Sequence, residues 1–173
     1  MYLGIDEPNH GKSPEIFTGA ITSQKEYILE EGVLKKRRRK GGRTNSFLGF
    51  QYKHIIFTKD YKDIISCENY KIISIGEFSK FFLKEGDKGE IFMDGDLKHF
   101  EAENILKMLY EINKKIVFHF GKSLDEKIKL VNEADNLANF LYRYYRDSRE
   151  KNKTKYSDTL LHPNIKNYEK YFI

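Results

Sequence analysis

Cysteine is nearly missing from this 173-residue chain: Cys67 stands alone, which excludes an internal disulfide and a zinc site built on paired thiolates. Tryptophan is absent, so the 14% aromatic content is all Phe and Tyr. Long apolar runs are missing too. The stretch before Asp6 is too short for a signal peptide, and no run approaches the roughly 20 residues of a membrane span. No internal repeat and no sustained heptad is present, so nothing here fixes an oligomeric state. The expectation is a soluble, cytoplasmic protein with no membrane partner.

With 39% hydrophobic residues against 33% charged, the chain carries enough apolar bulk for one proper core, and a single domain is expected over residues 1–173. A net charge of +5 and a pI near 9.0 suit a polyanionic partner such as nucleic acid, because a basic surface concentrates phosphates. Much of that charge sits in Lys35-Lys36-Arg37-Arg38-Arg39-Lys40-Gly41-Gly42-Arg43, a block that repels itself when packed and so predicts an exposed loop at about 33–46. Lys36, Arg37, Arg38, Arg39, Lys40 and Arg43 are its candidate phosphate contacts, which position a nucleic acid without reading its sequence. A solvated loop or a localisation signal would look the same. From about residue 150 the chain turns polar and reads as a tail whose final Tyr and Phe residues could dock back.

Along the chain, a strand to Ile5 and a second over Ile16–Thr22 predict a β-hairpin with a wide, turn-rich loop, and Gln51–Phe57 predicts a third strand. Asp60–Ile65 and Glu77–Leu83 read as short helices around a strand at Lys71–Ile75. Gly89–Met93 is then a strand, Phe100–Ile112 an amphipathic helix, and Lys115–Phe120 a strand apolar enough to be covered on both faces. That strand, helix, strand unit implies a parallel pair. A last helix is expected over Glu133–Arg149, with Ala134, Leu137, Ala138, Leu141 and Tyr145 on one face.

Four acidic residues fall where an open α/β sheet puts its chemistry, at the carboxyl ends of strands or beside them. Asp6 and Glu7 end the first strand, Asp94 ends the strand before the amphipathic helix, and Asp135 opens the last helix in its first turn. Any one of them alone is more simply a turn or cap residue. Their three segments are expected to converge on one point, and a carboxylate cluster of that kind persists at neutral pH mainly when cations neutralise it. Hard oxygen donors select Mg²⁺ or Mn²⁺, and two such ions about 3.5–4 Å apart can drive in-line hydrolysis of a phosphodiester.

The segment Tyr2-Leu3-Gly4-Ile5-Asp6-Glu7 with Gly11 resembles the opening of type 2 ribonucleases H, where a strand ends in an Asp-Glu pair before a glycine-rich turn. Asp94 after Ile91-Phe92-Met93, and Ala134-Asp135 in the late helix, resemble that family's third and fourth carboxylates, in order. The run Ala134-Asp135-Asn136-Leu137-Ala138, followed by Tyr142-Arg143-Tyr144-Tyr145, is similar to a broader ribonuclease-H-like family whose members begin with an Ile-Asp-Glu strand. The resemblance implies an α/β fold with a ribonuclease-H-like mixed five-stranded sheet flanked by helices. It implies catalytic and metal-binding roles for Asp6, Glu7, Asp94 and Asp135, and cleavage of an RNA–DNA hybrid, RNA or structured DNA. The chain departs from type 2 enzymes in having Pro8-Asn9-His10-Gly11 for their Gly-Arg-Gly turn and in lacking their longer C-terminal helical portion. Recognition of a 2′-hydroxyl is therefore not implied.

Further candidates surround these four. Asn9 and His10 are close enough in sequence to Asp6 to touch phosphate, or are plain turn residues. Asp96 is the alternative third ligand and, with His99, a possible cap for the next helix. His119 reads as a satisfied core histidine, Glu133 and Asp147 as surface charges, and Tyr142, Tyr144 and Tyr145 as packed but partly wet. A non-catalytic nucleic-acid-binding module is the rival function. An actin-like or sugar-kinase-like ATPase also begins with a Gly-Ile-Asp strand, but needs two domains and a glycine-rich phosphate loop.

Overall fold

The computed structural model describes residues 1–6, 13–30, 50–147 and 155–173. Five strands form one sheet: β1 (Tyr2–Asp6), β2 (Glu15–Thr22), β3 (Gln51–Phe57), β4 (Gly89–Asp94) and β5 (Ile116–Gly121), in the spatial order β3-β2-β1-β4-β5. β1 pairs antiparallel with β2 and parallel with β4, β2 and β3 are antiparallel, and β4 and β5 are parallel. The sheet is thus mixed, with β1 in the middle.

Alternation along β1 explains the two layers. Leu3 and Ile5 point into a core built with α2 (Tyr70–Phe82) and α3 (His99–Ile112). Gly4 faces the other side, where Leu130 of α4 (Lys129–Asp147) lies against it. On that second face Ala20 and Phe92 pack with Leu130, Val131 and Ala134, and Ile16 packs with Leu137 and Leu141. Apolar residues four and seven apart on α4 thereby lie over β1 and β2. A one-turn helix α1 (Lys59–Lys62) follows β3, close to the expected Asp60–Ile65.

Three expectations need correction. Lys71–Ile75 is no strand, and Glu77–Leu83 does not begin a helix of its own, because Tyr70–Phe82 is continuous helix α2. Ile72, Ile73, Ile75 and Phe78 are all buried, so the helix is apolar around most of its girth and its isoleucines imitate a strand. β5 is not covered on both faces. It is an edge strand whose Val117 and His119 are exposed on the α4 side, because α4 lies over β1 and β2. The last helix starts at Lys129, four residues before Glu133, which shifts every residue on it deeper into the element.

The chain beyond residue 155 docks as the terminal aromatics suggested, and it is not merely a polar tail. Tyr168 and Tyr171 are buried in the same core as α2 and α3, and Asn104 donates to the Tyr171 carbonyl at 3.1 Å. No helix among the described residues is long and apolar enough to cross a membrane. Gly76 is what lets Tyr168 in: a Cβ there would lie 2.2 Å from the tyrosine Cε1. Gly76→Ala is therefore expected to lower stability by about 1–3 kcal/mol through overpacking. A urea midpoint unchanged from wild type would show that Tyr168 does not sit against this helix.

Candidate active site

The register of the sheet decides which acidic residues meet. Ile5 pairs with Met93 in the parallel ladder, so the next residues, Asp6 and Asp94, end neighbouring strands. Adjacent strands lie about 4.8 Å apart. Both carboxylates are on the α4 side: Asp6 lies two residues beyond Gly4, and Asp94 two beyond Phe92. Asp6 is almost fully buried at 5% exposure, while Asp94 is half-buried. Asp94 Oδ1 accepts the Leu124 N–H at 2.7 Å, which ties the strand end to a 3-10 turn at Leu124–Glu126 leading into α4.

Asp135 stands on α4, which lies over this side of the sheet. Thr18 pairs with Asp6 across the antiparallel ladder, and its buried Oγ1 donates to the Ala134 carbonyl at 2.8 Å. The residue after Ala134 is thereby seated beside the row that holds Asp6 and Asp94. Asp135 is in the second turn of α4, not the first, so the helix dipole favours its charge less than expected, since that effect fades within a turn. Asn139 takes that steadying role: its Nδ2 donates to Asp135 Oδ1 at 2.8 Å and to the Asp135 carbonyl at 3.0 Å.

Among the described residues, no three His, Cys, Asp or Glu side chains stand close enough together to hold a metal ion. Asp94 and Asp135 each direct an oxygen at a neighbouring protein donor, so the carboxylates share a face without closing on one point. Glu7, Asn9, His10 and the basic residues Lys36, Arg37, Arg38, Arg39, Lys40 and Arg43 lie outside the described residues.

No family profile and no curated protein matches the chain. Among solved structures it is similar to the ribonuclease HII of Archaeoglobus fulgidus, determined in complex with PCNA. The similarity covers 90% of this chain and 82% of that one, with a TM-score of 0.58 and 15% sequence identity. The fold is ribonuclease-H-like. At that identity the likeness speaks for the architecture and leaves the chemistry to be argued from the residues.

The ribonuclease-H-like sheet also relocates the secondary candidates. Asp96 lies past Gly95, whose φ of 115° turns the chain away from β4, and its carboxylate pairs with Lys122 Nζ at 2.8 Å. Asp94 is thus the acid that faces α4. Neither Asp96 nor His99 caps α3: the cap position is Lys98, whose N–H donates to Glu101 Oε2 at 2.7 Å. His119 is not a core histidine. It is exposed on β5, stacked on Phe92 at 4.6 Å, with Nε2 3.1 Å from Glu90 Oε2. Glu133 is not a surface charge either: three residues after Leu130 and four before Leu137, it lies along the packed face of α4 at 3% exposure.

Sequence reasoning passed over His54, which continues the row. Asp6 pairs with Thr18, and Thr18 with His54 on β3. His54 is fully buried, with Nε2 2.8 Å from the Tyr145 hydroxyl of α4 and Nδ1 3.1 Å from Thr159 Oγ1. Burial pushes its pKa down to about 4, and the same cause pushes the Tyr145 hydroxyl up to about 12. Tyr144 meets Tyr145 and Tyr156 edge-on, and Tyr142 lies under Arg146, so the three tyrosines of α4 are packed yet partly wet as expected.

Thr18→Val keeps the shape of the side chain and removes the donor to the Ala134 carbonyl. A loss of about 1 kcal/mol is expected from the missing hydrogen bond, read from denaturant unfolding. If the valine form is as stable as wild type, the Thr18 bond does not hold α4 against β2.

Proposed function

We propose that this chain is a divalent-metal-dependent nuclease that hydrolyses phosphodiester bonds in nucleic acid, holding Mg²⁺ or Mn²⁺ with Asp6, Glu7, Asp94 and Asp135. One observation carries the reading. Asp6 and Asp94 end neighbouring parallel strands on the face that α4 covers, and α4 carries Asp135 next to Ala134, whose carbonyl accepts from Thr18. A structural role explains each acid singly but not their common side of the sheet.

The donor chemistry fits the ion: carboxylate oxygens few enough to leave room for water and phosphate suit Mg²⁺ or Mn²⁺. Bound there, the ions would supply Lewis-acid charge to the phosphate and to the attacking water. The protein groups have simpler tasks. Buried Asp6 contributes an anion in a poorly solvated position, where attraction to a cation is least screened. The Leu124 N–H and Asn139 orient Asp94 and Asp135 until the ions compete for those oxygens. The basic residues from Lys36 to Arg43, with Asn9 and His10, are proposed to contact the phosphate backbone. RNA–DNA hybrid, RNA and structured DNA are the substrate classes.

The second reading, a binding module that does not cleave, is favoured by the absence of a closed three-acid group among the described residues. Labelled single-stranded DNA, duplex DNA, branched DNA, RNA and RNA–DNA hybrid, each with Mg²⁺, with Mn²⁺ and with chelator, separate the two. Cleavage of one substrate that needs the metal, and that falls at least about 100-fold in Asp6→Asn, Asp94→Asn and Asp135→Asn, is the expected result; it corresponds to roughly 3 kcal/mol of transition-state stabilisation. Binding that is equally tight in chelator, with no cleavage of any substrate, would replace the nuclease by the binding module.

A further inference from the structure

The open edge of β3 is covered by the chain's own C-terminal segment. Leu160 bridges His54 in parallel, and the Leu161 N–H donates to the His54 carbonyl at 2.8 Å. Lys53 Nζ donates to the Asp158 carbonyl at 2.7 Å. Further on, Tyr168 and Tyr171 anchor the same segment in the core that α2, α3 and the inner face of the sheet share. Residues 156–161 therefore form a strap, held at β3 by these polar contacts together with the packing of Tyr156 and Leu161, and at its far end by the buried tyrosines.

His54 is where the strap, β3 and α4 are tied together, and its protons have a definite direction. The Thr159 hydroxyl donates to the Tyr156 carbonyl at 3.0 Å, so its oxygen is left to accept from His54 Nδ1–H. His54 Nε2, then without a proton, accepts the Tyr145 hydroxyl at 2.8 Å. This chain of donors is the one that the neutral Nδ1–H imidazole makes. A second proton at Nε2 would make the Tyr145 hydroxyl give up its role as donor and accept instead, and the imidazolium would be buried beside Lys53.

We propose that His54 is an acid-released latch, which when neutral fastens the strap 156–161 across β3 to α4 and when protonated lets it go. The groups facing it are Tyr52 and Lys53 on its own strand, Tyr144 and Tyr145 on α4, Tyr156 and Asp158 on the strap, and Asp6 two strands along the same row. Lys53 is cationic, the tyrosines are neutral near pH 7, and Asp158 is exposed at the surface. Desolvation, the dominant influence, acts against the imidazolium, a hydrogen bond to the Thr159 backbone acts for it, and Lys53 acts against it again, with the net effect downward.

The sign follows from linkage. A histidine near 4 when latched and near its ordinary 6.5 when released binds more protons in the released state. Latching is therefore complete above about pH 6.5 and is lost as the pH falls from there toward 4. Between pH 7.5 and pH 5 the released population should rise on the order of thirtyfold.

Amide hydrogen exchange of the Leu161 N–H, corrected for its intrinsic pH dependence, reads that release directly, with the Tyr171 N–H as the internal reference. The expected result is a roughly thirtyfold fall in Leu161 protection between pH 7.5 and 5 with Tyr171 unchanged, and no such pH response in His54→Gln. The latch is overturned if Leu161 protection does not change with pH, if Tyr171 opens in step with it, or if the glutamine form responds as wild type does. Should His54→Gln fail to fold, ¹⁵N chemical shifts of the wild-type imidazole decide the matter. A protonated Nδ1 that titrates well below 6.5 upholds it, and a protonated Nε2 or an ordinary pKa overturns it.

Discussion

At Gly4 the backbone of β1 approaches α4 so closely that a Cβ would lie 2.8 Å from Leu130 Cγ and 2.9 Å from the Leu130 carbonyl oxygen. The second of those neighbours is backbone and cannot rotate away, so only glycine allows the helix to rest on the central strand at this height. From that contact the rest of the α4 face follows. With Leu130 seated on Gly4, the next turn sets Ala134 over Thr18, and the turn after it sets Leu137 against Ile16. The carboxylate of Asp6, two residues past Gly4, is then roofed by the helix that carries Asp135.

The same helix divides the sheet into a covered and an open half. β1 and β2 lie beneath α4, with Thr18 and Ile16 fully buried, and His54 on β3 is reached by Tyr145 from the helix and by Thr159 from the strap. β5 has no equivalent cover on that face, and its Val117 and His119 stay exposed. The two edges of the sheet are thus handled differently: the strap satisfies the rim of β3, while β5 keeps its outer rim uncovered among the described residues. Asp94 lies at the boundary between the halves, half-buried and tied to the turn that feeds α4.

The parts of this architecture that could be read in advance are those with strong local patterns. The alternation in β1 and β2, the 3.6-residue period of α3 and the strands on either side of it all appear where expected, and with them the parallel pairing of β4 and β5. Patterns failed where burial overrode periodicity. Helix α2 is enclosed by the sheet, α3 and the C-terminal tyrosines, so its polar strip of Glu77 and Lys80 is too narrow to reveal its period. The start of α4 was misplaced because Leu130 and Val131 precede the Ala-Asp pair that drew attention, and no proline or glycine marks the boundary.

Asp6, Asp94 and Asp135 were nameable from the sequence because a carboxylate at the end of an apolar strand, or beside an alanine on an amphipathic helix, is a local feature. Their order along the chain, the basic block and the single cysteine are local in the same way. Which side of the sheet each acid faces was settled only by the pairing of Ile5 with Met93 and Asp6 with Thr18, since a slip of one residue reverses every side chain on a strand. Tertiary contact alone buried Glu133, exposed His119 and joined His54 to Tyr145 and Thr159, which lie 91 and 105 residues away along the chain. Residues so far apart leave no periodic trace, and only the packing of strand, helix and strap determines that they touch.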